Sequence, residues 1–249
     1  MSPIREKLAQ VLDTHFDARW GAPYWLDRCA TLGFDPRTEI RDLADLAEFG
    51  PMPLEELARR PIEDFIPRKF HGELPRFVLS ETGGTTGSPK RTAFLPEEFE
   101  AGFVAPFLHA AKLLHFPEKV HWLFVGPTGP HVVGKAVRAC ALGLGSMEPF
   151  SVDFDPRWAR KLVPGSLART RYTEHIVAQA TAILETQRIG VIFATPPVLE
   201  MLGDRLDASL RKSIVGVHLG GMAADAALWR KLGAEWFPNA VAMAGYGNS

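Results

Sequence analysis

The chain has 249 residues, 46% of them hydrophobic and 23% charged, and its formal net charge is −1 at pH 7. A chain of this length and composition can bury a sizeable core, either as one large domain or as two small ones. The near-zero charge argues against nucleic-acid binding through a strong positive field, and no apolar run is long enough to span a bilayer.

The N-terminal sequence lacks the unbroken apolar segment of a signal peptide. Its apolar residues instead recur at helical spacing, which predicts an amphipathic helix. These residues are Ile4, Leu8, Val11 and Leu12. Cys29 and Cys140 lie far apart without the spacing of a metal or redox site, so we interpret both as buried thiols in a reducing compartment. These features predict a cytoplasmic protein with no membrane or nucleic-acid partner.

The sequence up to about Pro75 has a helical pattern broken by turns, and no strand is predicted before Phe77. The segment EIRDLADLAEF, residues 39–49, predicts one helix with four apolar residues on one face. They are Ile40, Leu43, Leu46 and Ala47. Pro53 stands where the first residue of the next helix is expected. We therefore expect an N-terminal helical segment over residues 1–75.

Short apolar runs alternate with helical stretches after Pro75. Strands are predicted at Phe77–Leu79, Val120–Val125, Gly190–Ala194, Ile214–Leu219 and Ala240–Ala244. Helices are predicted at Pro96–His115, His131–Leu142, Tyr172–Arg188, Pro196–Leu206 and Ala223–Leu232. Continuously apolar strands between helices predict an α/β region over residues 76–249, with a mainly parallel sheet covered on both faces. Ligands bind such sheets beyond the carboxyl ends of the strands.

A glycine- and threonine-rich loop, TGGTTGSPK (residues 82–90), follows the first predicted strand, so we expect it at that edge of the sheet. Its glycines let backbone N–H groups approach an anion, its hydroxyls are donors, and Lys90 adds a positive charge, which together suit a polyphosphate. A Walker A loop is excluded because Pro89, not glycine, precedes Lys90. Composition alone leaves a surface loop or hairpin turn equally open.

The order of residues in this loop resembles the phosphate-binding signature of adenylate-forming enzymes, the superfamily of acyl-CoA synthetases, peptide-synthetase adenylation domains and luciferases. The usual form is Thr/Ser-Ser-Gly-Thr-Thr-Gly-x-Pro-Lys, and Gly83 stands here in place of the serine. The resemblance implies that Thr86 and Lys90 are catalytic. It also implies a nucleotide-binding loop made of Thr82, Gly83, Gly84, Thr85, Thr86, Gly87 and Lys90.

Three later segments are similar to the same family, in the same order. PTGPHVVG, residues 127–134, resembles a segment lining the acyl pocket, which implies that His131, Val133 and Gly134 bind substrate, although His131 alone could be a capping or core histidine. GVIFATPPVLEML, residues 190–202, resembles the strand, Pro-Pro and helix that flank this pocket. Residues 216–249 resemble a strand, Gly-Gly, a helix, a Phe-Pro turn, a strand and Tyr-Gly-x-Thr/Ser-Glu.

The last segment carries the remaining implied site residues. The resemblance implies that Tyr246 stacks on adenine, that Ser249 bonds the α-phosphate, and that Ala244 and Gly245 form the floor of the acyl pocket. The other implied nucleotide-binding residues are Gly220, Gly221, Met222, Gly247 and Asn248. The family's glutamate, which holds Mg²⁺, would come directly after Ser249. We therefore expect an N-terminal portion that is inactive alone, and no metal ligand within it.

The opening helices are similar to those of phenylacetate-CoA ligase-like enzymes, through an aromatic pair and the Gly-x-x-Pro and Asp-Leu-x-x-Leu-Pro steps. The resemblance implies that ATP activates a carboxylic acid to an acyl-adenylate, with thioester formation on coenzyme A or an acyl carrier protein to follow, and it is compatible with a homodimer. Phe103, Phe107, Trp122 and Phe124 suit an aryl acid, or equally a hydrophobic core. The alternatives are a non-catalytic nucleotide- or acyl-AMP-binding module, a truncated homologue, and a scaffold domain without ligand.

Overall fold

The computed structural model describes residues 2–84 and 87–245. Its contacts group the chain into two compact units, residues 1–96 and 97–249. The first unit contains helices and a β-hairpin, and the second contains a five-stranded sheet with its helices. The domain division between residues 75 and 76 stays a prediction from the sequence.

The first unit begins with short helices. The α-helices are α1 (Pro3–Phe16), α2 (Pro23–Leu32), α3 (Pro36–Glu39) and α4 (Glu56–Arg59), and the 3₁₀ helices are Ala44–Phe49, Ile62–Phe65 and Arg68–Arg76. The amphipathic helix predicted at the N-terminus is confirmed as α1. The Ser2 hydroxyl caps it by accepting the Arg5 N–H at 3.4 Å, and Leu8 and Leu12 are buried.

The single helix predicted over residues 39–49 is wrong. Helix α3 ends at Glu39, Ile40 is extended, and a separate 3₁₀ helix covers Ala44–Phe49. The Asp45 carboxylate accepts the backbone N–H groups of Arg41 and Asp42, both at 2.9 Å. Such local side-chain bonds compete with a continuous helix, and this competition interrupts the predicted one. The next helix begins at Glu56 rather than at Pro53.

A β-hairpin ends the first unit. Strand β1 (Val78–Glu81) pairs antiparallel with β2 (Arg91–Phe94), with Glu81 opposite Arg91. The strand predicted at Phe77–Leu79 therefore exists, but its assignment to the parallel sheet is wrong. The sequence did not predict β2, because a strand of four residues with exposed Arg91 gives too short a pattern to recognise.

The second unit is built on a fully parallel sheet with the strand order β4-β3-β5-β6-β7. Its strands are β3 (His121–Gly126), β4 (Phe150–Asp153), β5 (Ile189–Ala194), β6 (Gly216–Leu219) and β7 (Val241–Ala244). Flanking helices complete the α/β architecture, which confirms the predicted fold class. The chain leaves β3 in one direction to form β4 and then returns past it to form β5. This reversal creates a switch point between β3 and β5, where ligands bind in open α/β sheets.

Helices connect these strands. They are α5 (Pro96–Phe99), α6 (Ala105–Leu113), α7 (Val132–Gly143), α8 (Pro156–Lys161), α9 (Leu167–Thr186), α10 (Pro196–Arg205), α11 (Ala208–Ser213) and α12 (Ala226–Lys231). The predicted helix Pro96–His115 is interrupted by a π-helical turn at Glu100–Val104, and a second π-helical turn at Leu232–Trp236 follows α12. The other predicted helices occur with shifted ends, whereas β4, α8 and α11 were not predicted.

The two faces of the sheet bury different side chains, because successive residues of a strand point to opposite faces. Leu123, Ile192 and Val217 belong to one cluster with residues of α9 and α10. The alternate positions in register across β3, β5 and β6, Phe124, Phe193 and His218, carry rings on the other face. We call these faces the aliphatic face and the aromatic face.

Candidate functional site

The carboxyl edge of the parallel sheet collects most of the predicted substrate- and base-binding residues. Strands β3, β5, β6 and β7 end at Gly126, Ala194, Leu219 and Ala244. Because the strands are parallel, the segments after them meet at one edge. The predicted residues in these segments that the structure describes are His131, Val133, Gly134, Gly220, Gly221, Met222 and Gly245, and Ala244 is the last residue of β7.

The loop after β3 is tied to the end of β4. The backbone N–H and the hydroxyl of Thr128 both donate to the Asp153 carboxylate, at 2.9 and 2.8 Å. The Phe154 N–H donates to the Gly126 carbonyl at 3.1 Å. These bonds tie the loop after β3 to the end of β4.

The start of α7 lies close to the same loop. A Cβ atom on Gly134 would stand 2.8 Å from the carbonyl oxygen of Thr128 and 3.0 Å from that of Pro127, so only glycine fits without movement. His131 directly precedes α7 and is 9% exposed, and its side chain does not cap the helix. Val133 is half-buried in the first turn.

The segment after β6 passes close to the end of β5. The Gly220 N–H donates to the Ala194 carbonyl at 3.3 Å, and a Cβ atom on Gly220 would stand 2.6 Å from the Phe193 ring. Gly221 has a φ of +76°, a conformation that favours glycine. Met222 is 59% exposed and follows this turn. Glycine is therefore required at position 220 by close packing and favoured at position 221 by the backbone conformation.

The segment after β7 crosses the edge of a buried histidine ring. The Gly245 N–H donates to the Leu219 carbonyl at 2.9 Å. A Cβ atom on Gly245 would stand 2.8 Å from Cε1 and 2.9 Å from Nε2 of His218. The neighbouring Ala244 is exposed. The predictions for Tyr246, Gly247, Asn248 and Ser249 lie outside the described residues.

The glycine- and threonine-rich loop connects the two strands of the hairpin, so its expected place after a strand of the parallel sheet is wrong. The Thr82 N–H donates to the Lys90 carbonyl at 2.9 Å, and the Lys90 N–H donates to the Thr82 hydroxyl at 3.0 Å. These bonds close the neck of the loop. Gly84 has a φ of +60°, and a Cβ atom there would stand 3.1 Å from the Gly87 carbonyl oxygen.

Some of the other predicted loop residues lie within the described part of the chain, and others do not. Gly83 is half-buried and lies between Thr82 and Gly84, and Lys90 is also half-buried. The predictions for Thr85 and Thr86 lie outside the described residues. The hairpin geometry agrees with the interpretation of this segment as a hairpin turn. Phosphate binding by the loop stays a proposal.

Among the described residues, His218 is one of three buried polar residues that the sequence analysis missed, together with Ser80 and Glu81. It is 5% exposed, and its ring makes edge contacts with Phe193 and Phe107, with ring centres 4.2 and 5.2 Å apart. Its Nδ1 is buried without a hydrogen-bond partner among the described residues, and burial lowers the pKa of the imidazole to about 4. The signal that could have found it is a histidine within the apolar strand sequence GVHL.

The aromatic residues predicted near the acyl pocket pack against one another. Phe107 lies 5.9 Å from Trp122 and 6.1 Å from Phe116, and Phe124 lies 5.4 Å from Phe193. Trp122 and Phe124 are at most 2% exposed. This layer is part of the hydrophobic core and also borders His218.

The two cysteines are free thiols that differ in burial. Cys140 is buried, and burial, followed by the nearby charge of Glu100, raises the pKa of its thiol to about 12. Cys29 is half-buried rather than buried, and both thiols are free. Within residues 2–84 and 87–245, no three His, Cys, Asp or Glu side chains are grouped so that they could hold a metal ion. Among the described helices, none combines the length and apolarity needed to cross a bilayer.

An apolar groove of about 660 Å³ lies in the first unit, along α1. Its lining includes Leu8, Leu12, Trp25, Leu43 and Phe49. None of the predicted site residues that the structure describes lines it. A groove with so few polar groups does not suit a nucleotide, so we do not assign it to the candidate site.

Comparison with known proteins gives matches among solved structures. No family model and no curated protein matches the chain. An open conformation of 2-hydroxyisobutyryl-CoA ligase, in complex with 2-HIB-AMP and CoA, matches 97% of this chain and 52% of its own, at 16% identity and a TM-score of 0.61. The same ligase in the postadenylation state with 2-HIB-AMP matches 97% of this chain and 47% of its own, at 14% identity and a TM-score of 0.63.

These matches concern the fold. The chain spans about half the length of the ligase structures that it matches. At identities of 14–16%, the likeness shows a shared architecture and leaves activity open. The chain therefore shares the fold of this ligase over nearly its whole length.

Proposed function

We propose that this chain carries the nucleotide- and acyl-binding region of an adenylate-forming enzyme of the phenylacetate-CoA ligase-like branch. The enzyme would activate a carboxylic acid with ATP and pass the acyl group to a thiol, that of coenzyme A or of an acyl carrier protein. One observation carries the proposal: the segments after β3, β5, β6 and β7 that resemble the family meet at a single sheet edge. A cytoplasmic location and a homodimeric state belong to the same proposal.

The proposed reaction needs positioning and charge neutralisation more than proton transfer. A carboxylate oxygen attacks the α-phosphorus of ATP in line, an oxygen–phosphorus bond forms, and the bond to pyrophosphate breaks. Backbone N–H groups and hydroxyls of the hairpin loop would hold the β- and γ-phosphates, and Lys90 would neutralise their charge. Tyr246 would stack on adenine, and Ser249 would donate to the α-phosphate.

A magnesium ion would usually accompany ATP in this chemistry. The described residues offer no group of carboxylates or imidazoles that fits it. We therefore assign no step to the metal and none of these residues as its ligand.

The acyl group would lie at the sheet edge beside the aromatic face. His131, Val133 and Gly134 would border it, and Ala244 and Gly245 would form its floor. Gly220 and Gly245 support this assignment, because the backbone at each packs directly against the rings of Phe193 and His218, where a side chain would not fit. The aromatic layer suits an aryl acid or another small hydrophobic acid.

Titration calorimetry with ATP and with AMP tests the nucleotide part of the proposal. We expect tighter binding of ATP than of AMP, because only ATP reaches the loop with its β- and γ-phosphates. Thr86→Ala should weaken ATP binding by about tenfold and leave AMP binding unchanged. Thr31→Ala, a change at an exposed helical threonine, is the matched control.

A non-catalytic acyl-AMP-binding module is the second candidate, because the same sheet edge could hold an adenylate without any phosphate contact from the hairpin. It predicts equal affinity for ATP and AMP and no effect of Thr86→Ala. A scaffold domain without ligand predicts no heat with either nucleotide. Both outcomes would contradict the proposed enzyme.

A further inference from the structure

The apolar groove along α1 has no role in the proposed function. Its volume of about 660 Å³ lies within the range of small-molecule sites. Much of its apolar lining is in contact with solvent, since Ile4 is 59% exposed, Leu43 54% and Val11 41%. Exposed apolar side chains that share one groove mark a place where a ligand or a partner binds.

The groove follows one side of α1. Its lining on this helix includes Ile4, Lys7, Val11 and His15, which recur at intervals of three or four residues and therefore share a face. The end of the helix carries Phe16, whose ring centre lies 5.8 Å from that of Trp25 and 5.6 Å from that of Phe49. All three aromatic residues also line the groove. The groove is therefore elongated, with an aromatic cluster at one end.

The charge along the groove is positive. Among the described residues that line it, Lys7 is the one charged side chain, and no Asp or Glu accompanies it. His15 adds no charge at pH 7, because burial, followed by the nearby charge of Lys69, lowers the pKa of its imidazole. Lys7 makes no ion pair with a described residue, whereas Arg5 on the same helix pairs with Asp42. An unpaired cation beside apolar surface is complementary to an anionic head group on an apolar chain.

We propose that this groove binds a single-chain anionic amphiphile of the fatty-acid type, with its head group at Lys7 and its aliphatic chain along α1 toward Phe16. These two residues are about 13 Å apart along the helix axis. An extended chain of about ten carbons, with bonds of about 1.5 Å, has a similar length. The inference does not rest on the proposed nucleotide chemistry, because none of the described residues proposed for the nucleotide or the acyl group lines the groove.

Titration calorimetry on the 249-residue chain tests the chain and the head group separately. Hexanoate, octanoate and decanoate, each below its micelle-forming concentration, should bind about tenfold more tightly for every two added CH₂ groups. At equal chain length, octanoate should bind at least about fivefold more tightly than 1-octanol or octyltrimethylammonium. Absence of binding by all three carboxylates, or equal affinity for the three octyl compounds, would overturn the inference.

Two variants locate the binding site. Lys7→Gln should weaken octanoate binding about fivefold and leave 1-octanol binding unchanged, because only the charge is removed. Val11→Glu, at an exposed position, should abolish octanoate binding, because it places a carboxylate in the groove. Lys112→Gln, at an exposed lysine of α6 that does not line the groove, is the matched control. If octanoate binds both variants as tightly as the wild type, it occupies another site, the proposed acyl site included, and the inference is wrong.

Thermal unfolding shows whether the variants fold, and two further measurements test other occupants of the groove. Sedimentation of the chain with vesicles of anionic phosphatidylglycerol, together with no binding of monomeric octanoate, would show that the groove meets a bilayer surface instead. Analytical ultracentrifugation would reveal a second copy of the chain on the groove as a dimer that Val11→Glu dissociates. Either result would overturn the inference.

Discussion

The two faces of the five-stranded sheet use alternate residues of the same strands for different purposes. On the aliphatic face, Leu123, Ile192 and Val217 are fully buried in one hydrophobic cluster with residues of the covering helices. On the aromatic face, rings surround one unpaired histidine, and glycines at the strand ends leave no side chains beside them. One face therefore holds the sheet together, whereas the other also borders the candidate site.

The largest expected effect belongs to the aliphatic face. Leu199 of α10 is 0% exposed, so Leu199→Ala would remove buried methyl groups and leave a cavity. We expect a loss of about 4 kcal/mol in the free energy of unfolding, measured by urea denaturation. Leu113→Ala, at a leucine that is 67% exposed, is the control and should cost less than about 1 kcal/mol. A similar loss in both variants would contradict the conclusion that burial on this face holds the sheet together.

The next effect is a pH dependence that comes from the aromatic face. Burial lowers the pKa of His218 to about 4, so between its ordinary value near 6.5 and about 4 the unfolded state binds a proton and the folded state does not. Stability therefore falls as the pH falls through this window, by an amount on the order of 3 kcal/mol. Above pH 6.5 this histidine has no influence on the pH dependence.

Urea denaturation across pH 4 to 7 in the wild type and in His218→Phe measures this contribution. The carboxylates titrate in both proteins, so the difference between the two curves isolates the histidine. If the two curves of unfolding free energy against pH are parallel, the folded state does not hold the imidazole in its neutral form. The two faces of the sheet would then not differ in their contribution to the pH dependence.

A smaller effect is expected at the loop after β3. Gly134→Ala would bring a Cβ atom to 2.8 Å from the Thr128 carbonyl oxygen, and the strain should cost about 2 kcal/mol. In Gly129→Ala, apart from the adjacent residues, the nearest neighbour of the new Cβ atom is His131 Cδ2 at 4.0 Å, so this control should change stability by less than about 1 kcal/mol. Thermal unfolding of both variants measures the difference, and equal shifts would show that the loop moves freely away from α7.

The buried strands were predictable, because a short continuous apolar run between two turn signals is typical of a buried strand. The runs around Val191 and Val217 produced correct strands for this reason. Strand β4 was not predicted, since Ser151 and Asp153 are exposed and give it no continuous apolar run. The π-helical turns could not be predicted either, because the same residues satisfy a regular helical pattern.

The candidate site was predictable only in part. The residues at the sheet edge were found through their order along the chain, and the parallel topology brings them together. His218 was missed, because one histidine in a four-residue strand carries no information about which rings surround it. The loop with Lys90 was found from its composition, but its attachment to a hairpin depends on β2, which was not predicted.

The alternation of strands and helices follows from the sequence, because apolar periodicity is a local property. The tertiary structure alone decided which strands pair, which face of the sheet receives His218, and that Gly245 lies above its ring. These depend on contacts between residues distant in the chain, and such contacts form only when the sheet assembles.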